Sequence, residues 1–232
     1  NKDEIFLNDF EKFNSIVESE VNRQLYEIQS WVSFYQATMK RVANFSVPGA
    51  GKTSMILGTF AFLSSKQIDK IDRIIVIGPK NSFISWKEEF KTVFKDKKML
   101  KLLDVHDSNF YPEMFYKNVH SYNLILINYE SLIKYRDELL NIVDSRTMLV
   151  FDEVHRIKNP DGIRAKKALE ISKKSKFKYV LTGTPIPNSY SDIYNFLNIL
   201  YGNEYNSFFG WDPKFLVNPN LRQTREINIK IH

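Results

Sequence analysis

Short apolar runs alternate with stretches of helical period along most of this chain, and that alternation constrains its fold more than anything else. The runs occupy residues 43–47, 73–78, 123–129, 147–153 and 178–183. Helical spacing follows over residues 53–64, 82–94, 129–143, 162–173 and 191–200. Nearly continuous apolar strands are those buried on both faces. Strands that alternate with helices form a mostly parallel central sheet covered by helices on both sides, an α/β architecture. Ligands of such sheets bind beyond the carboxyl ends of the strands. Polar, chemistry-bearing residues fall at that edge in four separate segments. A glycine-rich turn follows Val47, Pro79 follows residues 73–78, Asp152 and Glu153 follow residues 148–151, and residues 182–185 follow the apolar residues 179–181.

Ahead of the first run, the stretch through Arg23 reads as an amphipathic helical lead-in, and Ile28, Val32, Tyr35 and Met39 predict a second helix over residues 28–41. Residues 201–232, with FFGW at 208–211 and Pro213, predict irregular structure with aromatic anchors. The chain thus divides into a lead-in (1–24), an αβ lobe (25–200) and an irregular tail (201–232) that leads toward something larger.

Composition narrows the setting. With 232 residues, 43% hydrophobic and 26% charged, the chain can bury a sizeable core. No apolar run approaches the roughly 18 residues that span a bilayer, and residues 1–10 are too acidic and mixed for a signal peptide. The absence of cysteine excludes disulfides and cysteine-ligated zinc. The net charge of +6 is compatible with a polyanionic partner. The lysine clusters at 91–101 and 171–178 read as solvated helix ends and loops.

Residues 46–53, SVPGAGKT, carry the phosphate chemistry. The full Walker pattern begins with glycine, where this chain has Ser46, but Gly49-Ala50-Gly51-Lys52-Thr53 is intact. Gly49 and Gly51 allow a tight turn whose N–H groups point at phosphates. Ala50 and Ser54 complete the cradle, Lys52 would meet the β- and γ-phosphates, and Thr53 would ligate magnesium. The helix that starts near Thr53 adds its positive dipole end. Asp152, at a strand end, can hold Mg2+ through water, and the adjacent Glu153 can activate an attacking water. His155 follows two residues later. The pair of segments points to ATP and Mg2+ as cofactors and to ATP hydrolysis.

These motifs together resemble a known family, the Swi/Snf-type ATP-dependent DNA translocases of superfamily two, in their first RecA-like P-loop lobe. DEVHRIKN (152–159) is similar to that family's Asp-Glu-x-His box, and LTGTPIPN (181–188) to its Leu-Thr-Gly-Thr-Pro segment. GPKNSFISWKEEF (78–90), INYESL (127–132) and LYEIQ (25–29) match further segments in the same order. The resemblance implies that Lys52, Asp152, Glu153 and His155 act in catalysis, and that Gln29 reads adenine, with Gln36 as the other candidate. It implies that Thr182, Gly183 and Thr184 couple nucleotide state to DNA. Lys80, Asn81 and Ser82, with Tyr129 and Glu130, would lie along the DNA backbone; a solvated loop is the other reading of Lys80 and Asn81. Trp86 reads first as core packing.

The same resemblance implies double-stranded DNA as partner and a second RecA-like lobe that this chain does not contain, so that the lobe alone would turn over slowly. The lead-in at residues 46–50, Val154 and Pro187 depart from the eukaryotic remodeller pattern. They point to a prokaryotic, nucleoid-associated cytoplasmic protein in preference to a nuclear one. Two other readings stay open: the motor of a restriction or defence helicase-nuclease, and a nucleotide-switched nucleic-acid scaffold.

Overall fold

A computed structural model describes residues 2–157, 162–184, 194–202 and 218–231. Its strands are β1 (Arg41–Asn44), β2 (Arg73–Gly78), β3 (Leu102–Asp104), β4 (Leu124–Asn128), β5 (Thr147–Asp152) and β6 (Phe177–Leu181). Its helices are α1 (Lys2–Glu20), α2 (Glu27–Met39), α3 (Lys52–Ser65), α4 (Phe83–Phe94), α5 (Met114–Lys117), α6 (Ser131–Lys134), α7 (Arg136–Ile142), α8 (Ile163–Ser172), α9 (Tyr194–Tyr201) and α10 (Leu221–Ile231). All strand pairings are parallel, in the order β1-β6-β5-β2-β4-β3. The expected α/β architecture, a parallel sheet between two helical layers, is the one observed.

The apolar runs become strands because both their faces find helices. Every residue of β2, β4, β5 and β6 is buried. Ile74 and Val76 face a core with Phe13, Phe34, Phe60 and Trp86 from α1 to α4. Ile75 and Ile77 face the opposite core, with Leu139 of α7, Ala168 of α8 and Leu197 of α9. Burying each such aliphatic or aromatic side chain contributes roughly 1.5–3 kcal/mol before entropy is counted. The lead-in belongs to the first core: Phe10 stacks on Trp31 with ring centroids 3.5 Å apart, and Phe13 packs on Phe34 and Phe62.

Several boundaries differ from expectation, each for a local reason. β1 ends at Asn44 instead of residue 47, because the Asn44 side-chain oxygen accepts the Ser46 N–H at 3.0 Å and opens the turn early. The helix expected over 129–143 breaks into α6 and α7 at Tyr135, whose ring packs on Phe110 and Phe115. β3 is a three-residue edge strand just past the lysine-rich region, too short for its pattern to show. The tail is not irregular throughout. α10 starts from a reciprocal cap in which Gln223 N–H donates to the Asn220 side chain and Asn220 N–H donates to Gln223 Oε1, both at 2.9 Å. That Asn-x-x-Gln spacing is a capping-box signal present in the sequence. The readings of Lys158, Asn159, Pro185, Pro187, Asn188, residues 208–211 and Pro213 lie outside the described residues. Among the described residues, no helix is long and apolar enough to cross a membrane.

Candidate active site

The strand order builds the site. β6 lies between β1 and β5, so the residues after β6 stand between the glycine turn after β1 and the carboxylates after β5. Gly49 and Gly51 adopt φ +85° and +83°, a left-handed backbone that L side chains rarely tolerate. At Gly51 a Cβ would also lie 2.3 Å from Gln29 Nε2. Gln29 holds that turn: its Nε2 donates to Ala50 O at 3.2 Å, and its Oε1 accepts the Tyr26 N–H at 3.2 Å. Gln36 is fully buried, accepts the Thr59 hydroxyl at 2.9 Å, and lies among core residues. Gln29 is therefore the glutamine that the fold brings to the phosphate turn.

Lys52 opens α3 and folds over the turn, donating to Ser46 O at 2.8 Å and Val47 O at 3.3 Å. Thr53 lines the cavity that opens beside the turn. Ser54 is buried, and its hydroxyl accepts from Arg23 Nη2 at 3.0 Å and donates to Glu89. It lines the cavity beside Thr53 while its hydroxyl is engaged by these two side chains.

Asp152 ends β5, 8% exposed. Trp86 Nε1 donates to its Oδ2 at 3.0 Å, and the Tyr129 hydroxyl donates to its backbone oxygen at 2.8 Å. A Cβ on Gly78 would come within 2.9 Å of Asp152 Cβ, so the neighbouring strand also limits where this carboxylate can sit. Glu153 takes φ +50°, a left-handed conformation costing about 1 kcal/mol for a side-chain-bearing residue. His155 Nδ1 lies 3.2 Å from Glu153 Oε2 and 3.3 Å from Thr182 Oγ1. Thr182 Oγ1 accepts the Thr184 N–H at 3.1 Å, and Thr182 N–H donates to Asn44 O at 3.2 Å. A Cβ on Gly183 would touch Pro48 of the phosphate turn at 3.0 Å. A continuous set of contacts thus joins the glutamate, the histidine, the post-β6 segment and the turn.

Pro48, Gly49, Lys52, Thr53, Asp152 and Glu153 line one cavity of about 450 Å³. A larger cavity, about 660 Å³, opens at the opposite edge of the sheet beside Asp72, Asn123 and Arg146, away from every motif. Among the described residues no cluster of three or more histidines, cysteines or carboxylates forms a metal cage.

The residues expected along a DNA track separate. Lys80 and Asn81 are exposed on a 3₁₀ turn beyond β2, and the Ser82 hydroxyl closes that turn by donating to Pro79 O at 2.9 Å. Glu130 is exposed, but its carboxylate accepts from Asn128 at 2.7 Å and pairs with Arg164 at 3.1 Å. Tyr129 is a correction. Its side chain is 1% exposed and bonded to Asp152, so it supports the carboxylate strand and presents no surface to DNA.

Three residues of the site escaped the sequence reading: Arg23, Glu89 and the indole of Trp86. Trp86 and Glu89 stand three apart in α4, a spacing that puts both on one helix face.

Comparison with known proteins agrees with this architecture. The model of the SNF2-related domain matches residues 46–231. The human DNA repair and recombination protein RAD54B is 30% identical over 130 residues, covering 56% of this chain and 14% of its own length. The fission yeast (Schizosaccharomyces pombe) chromatin structure-remodeling complex subunit snf21 is 25% identical over 200 residues, covering 83% of this chain and 16% of its own length. The chain therefore spans only about a sixth of such curated relatives. The Sulfolobus solfataricus SWI2/SNF2 ATPase core, solved in complex with dsDNA, superposes with a TM-score of 0.70 at 24% identity, covering 91% of this chain and 44% of that one. That likeness shows the fold. With four-fifths of the chain matched by the family model, the protein belongs to the SNF2-related domain family.

Proposed function

We propose that this chain is the ATP-binding first lobe of a Swi/Snf-type, DNA-dependent ATPase that translocates on double-stranded DNA. One observation carries the reading: the phosphate turn and the Asp152–Glu153 pair line a single cavity, and the Thr182–Thr184 segment meets both, through His155 and through Gly183. A structural glycine turn would not need a carboxylate pair and a histidine relay around it.

In this reading Lys52 and the N–H groups of the turn bind the phosphates, and Thr53 and Asp152 hold Mg2+, whose charge offsets that of the phosphates. Gln29 faces the adenine. Glu153 orients and deprotonates the attacking water, and His155 passes its position to Thr182. The exposed Lys80 and Asn81 supply backbone contacts to DNA. The relatives support DNA as the partner, since RAD54B is a DNA repair and recombination protein and the Sulfolobus core was solved with dsDNA.

The test is steady-state ATPase activity of the full-length protein with Glu153→Gln. Loss of the general base lowers turnover by about 10²–10⁴-fold while ATP binding persists. Equal turnover in variant and parent overturns the assignment.

A further inference from the structure

We propose that the Arg23–Glu89 ion pair is a charge-balancing element of the nucleotide cavity that sets its affinity for a triphosphate. The inference rests on the ATP-site reading above. Glu89 comes from α4 and lines the same cavity as Lys52, Thr53, Asp152 and Glu153. Arg23, from the link between α1 and α2, donates to both oxygens of its carboxylate, at 3.3 Å through Nη1 and more closely through Nη2. The same Nη2 reaches Ser54 Oγ at 3.0 Å, and Ser54 donates to Glu89. Ser54 directly follows Thr53, so the pair borders the phosphate cradle.

Arg23 is not a drifting surface residue. Its backbone N–H donates to Val93 O at 3.2 Å, and that of Asn22 to the same oxygen at 2.7 Å. Planar, bidentate pairing is the geometry in which an arginine holds a carboxylate most tightly. The electrostatic consequence follows from the sign of the ligand. A triphosphate brings several negative charges into a cavity walled by Glu89, Asp152 and Glu153. Metal and Lys52 answer the last two. Glu89 faces the ligand without repelling it only because Arg23 cancels its charge.

The two halves of the pair therefore act in opposite directions. Removing the Arg23 charge leaves a carboxylate facing the phosphates. Removing the Glu89 charge leaves a guanidinium there. A tie that merely held α4 against the link between α1 and α2 would show the same loss from either side.

Binding of a fluorescent ATP analogue with magnesium, measured on the purified protein, separates these. Arg23→Gln is expected to weaken binding by about tenfold and Glu89→Gln to tighten it by about threefold, the scale of one partly screened charge acting on a polyanion. The double variant returns to within about twofold of the parent, and both single effects shrink at high salt. Arg23→Lys keeps the charge without the fork and serves where Arg23→Gln fails to fold; near-parent affinity supports charge balance. Weaker binding in both single variants, or no change in either, overturns the pair's role. A parent that binds no ATP overturns the site reading and this inference together. A parent that binds ATP and loses it on Lys52→Ala keeps the site reading intact whatever the pair shows.

Discussion

Asp152 is placed by groups that its own sequence neighbourhood does not reveal. Trp86 donates to it from 66 residues away, and Tyr129 holds its backbone oxygen. Burial, and then the charges of Asp152 and Glu153, push the Tyr129 phenol well above its ordinary range, so its hydroxyl stays protonated and donates at every physiological pH. Trp86 was expected as core, and its 1% exposure agrees. Its second role, as a hydrogen-bond donor, needed a partner from another strand. Trp86→Phe keeps an aromatic ring in the core and removes the donor. A hydrogen bond to a charged group is worth about 1.5–3 kcal/mol, so ATP turnover of the full-length protein should fall by roughly 10–100-fold. The magnesium requirement should rise while the melting temperature changes little. Unchanged turnover and unchanged magnesium midpoint would reduce Trp86 to packing.

At the scale of elements, long periodic segments were legible and short ones were not. α3, α4 and α8 begin and end within about two residues of expectation, because an amphipathic or buried stripe over three turns is a strong local signal. β3 and the α6–α7 break were invisible, since each depends on a partner brought from elsewhere: β4 for the strand, Phe110 and Phe115 for Tyr135. The α7–α8 contact carries a pH dependence of its own. Arg136 of α7 donates to both carboxylate oxygens of Glu170 of α8. That pairing lowers the Glu170 carboxyl from 4.5 to about 2. A depressed carboxyl stabilises the fold fully above its unfolded value and loses that contribution as pH falls through the folded one. Glu170→Gln should therefore lower the melting temperature slightly near neutral pH, since the pair is solvent-accessible. The gap to the parent should close between about pH 4.5 and pH 2. A gap that stays constant through that window removes the ion pair from the account.

At the scale of the molecule, the site is a consequence of strand order. The chain runs outward through β1, β2 and β3, then returns through β4, β5 and β6, so that β6 is laid between β1 and β5. Only this return brings Thr182 within reach of His155 and sets Gly183 against Pro48. We propose that fast turnover also draws charge stabilisation from arginines of a second lobe, as the resemblance to superfamily-two motors implies. The 232-residue chain by itself is thus expected to bind ATP weakly and hydrolyse it slowly, with little response to duplex DNA. Robust DNA-stimulated turnover by this chain in a phosphate-release assay would refute that. What the sequence determined by itself was the set of local facts: which runs become strands, where the chain must turn through glycine, and which side chains are candidates for phosphate and metal chemistry. Those follow from periodicity and from motif spacing, properties of adjacent residues. The tertiary structure decided which glutamine meets the turn, which aromatic groups hold the carboxylate, and that Arg23 pairs with Glu89 at the cavity wall. Those are contacts between segments far apart along the chain, fixed by packing both faces of one parallel sheet at once.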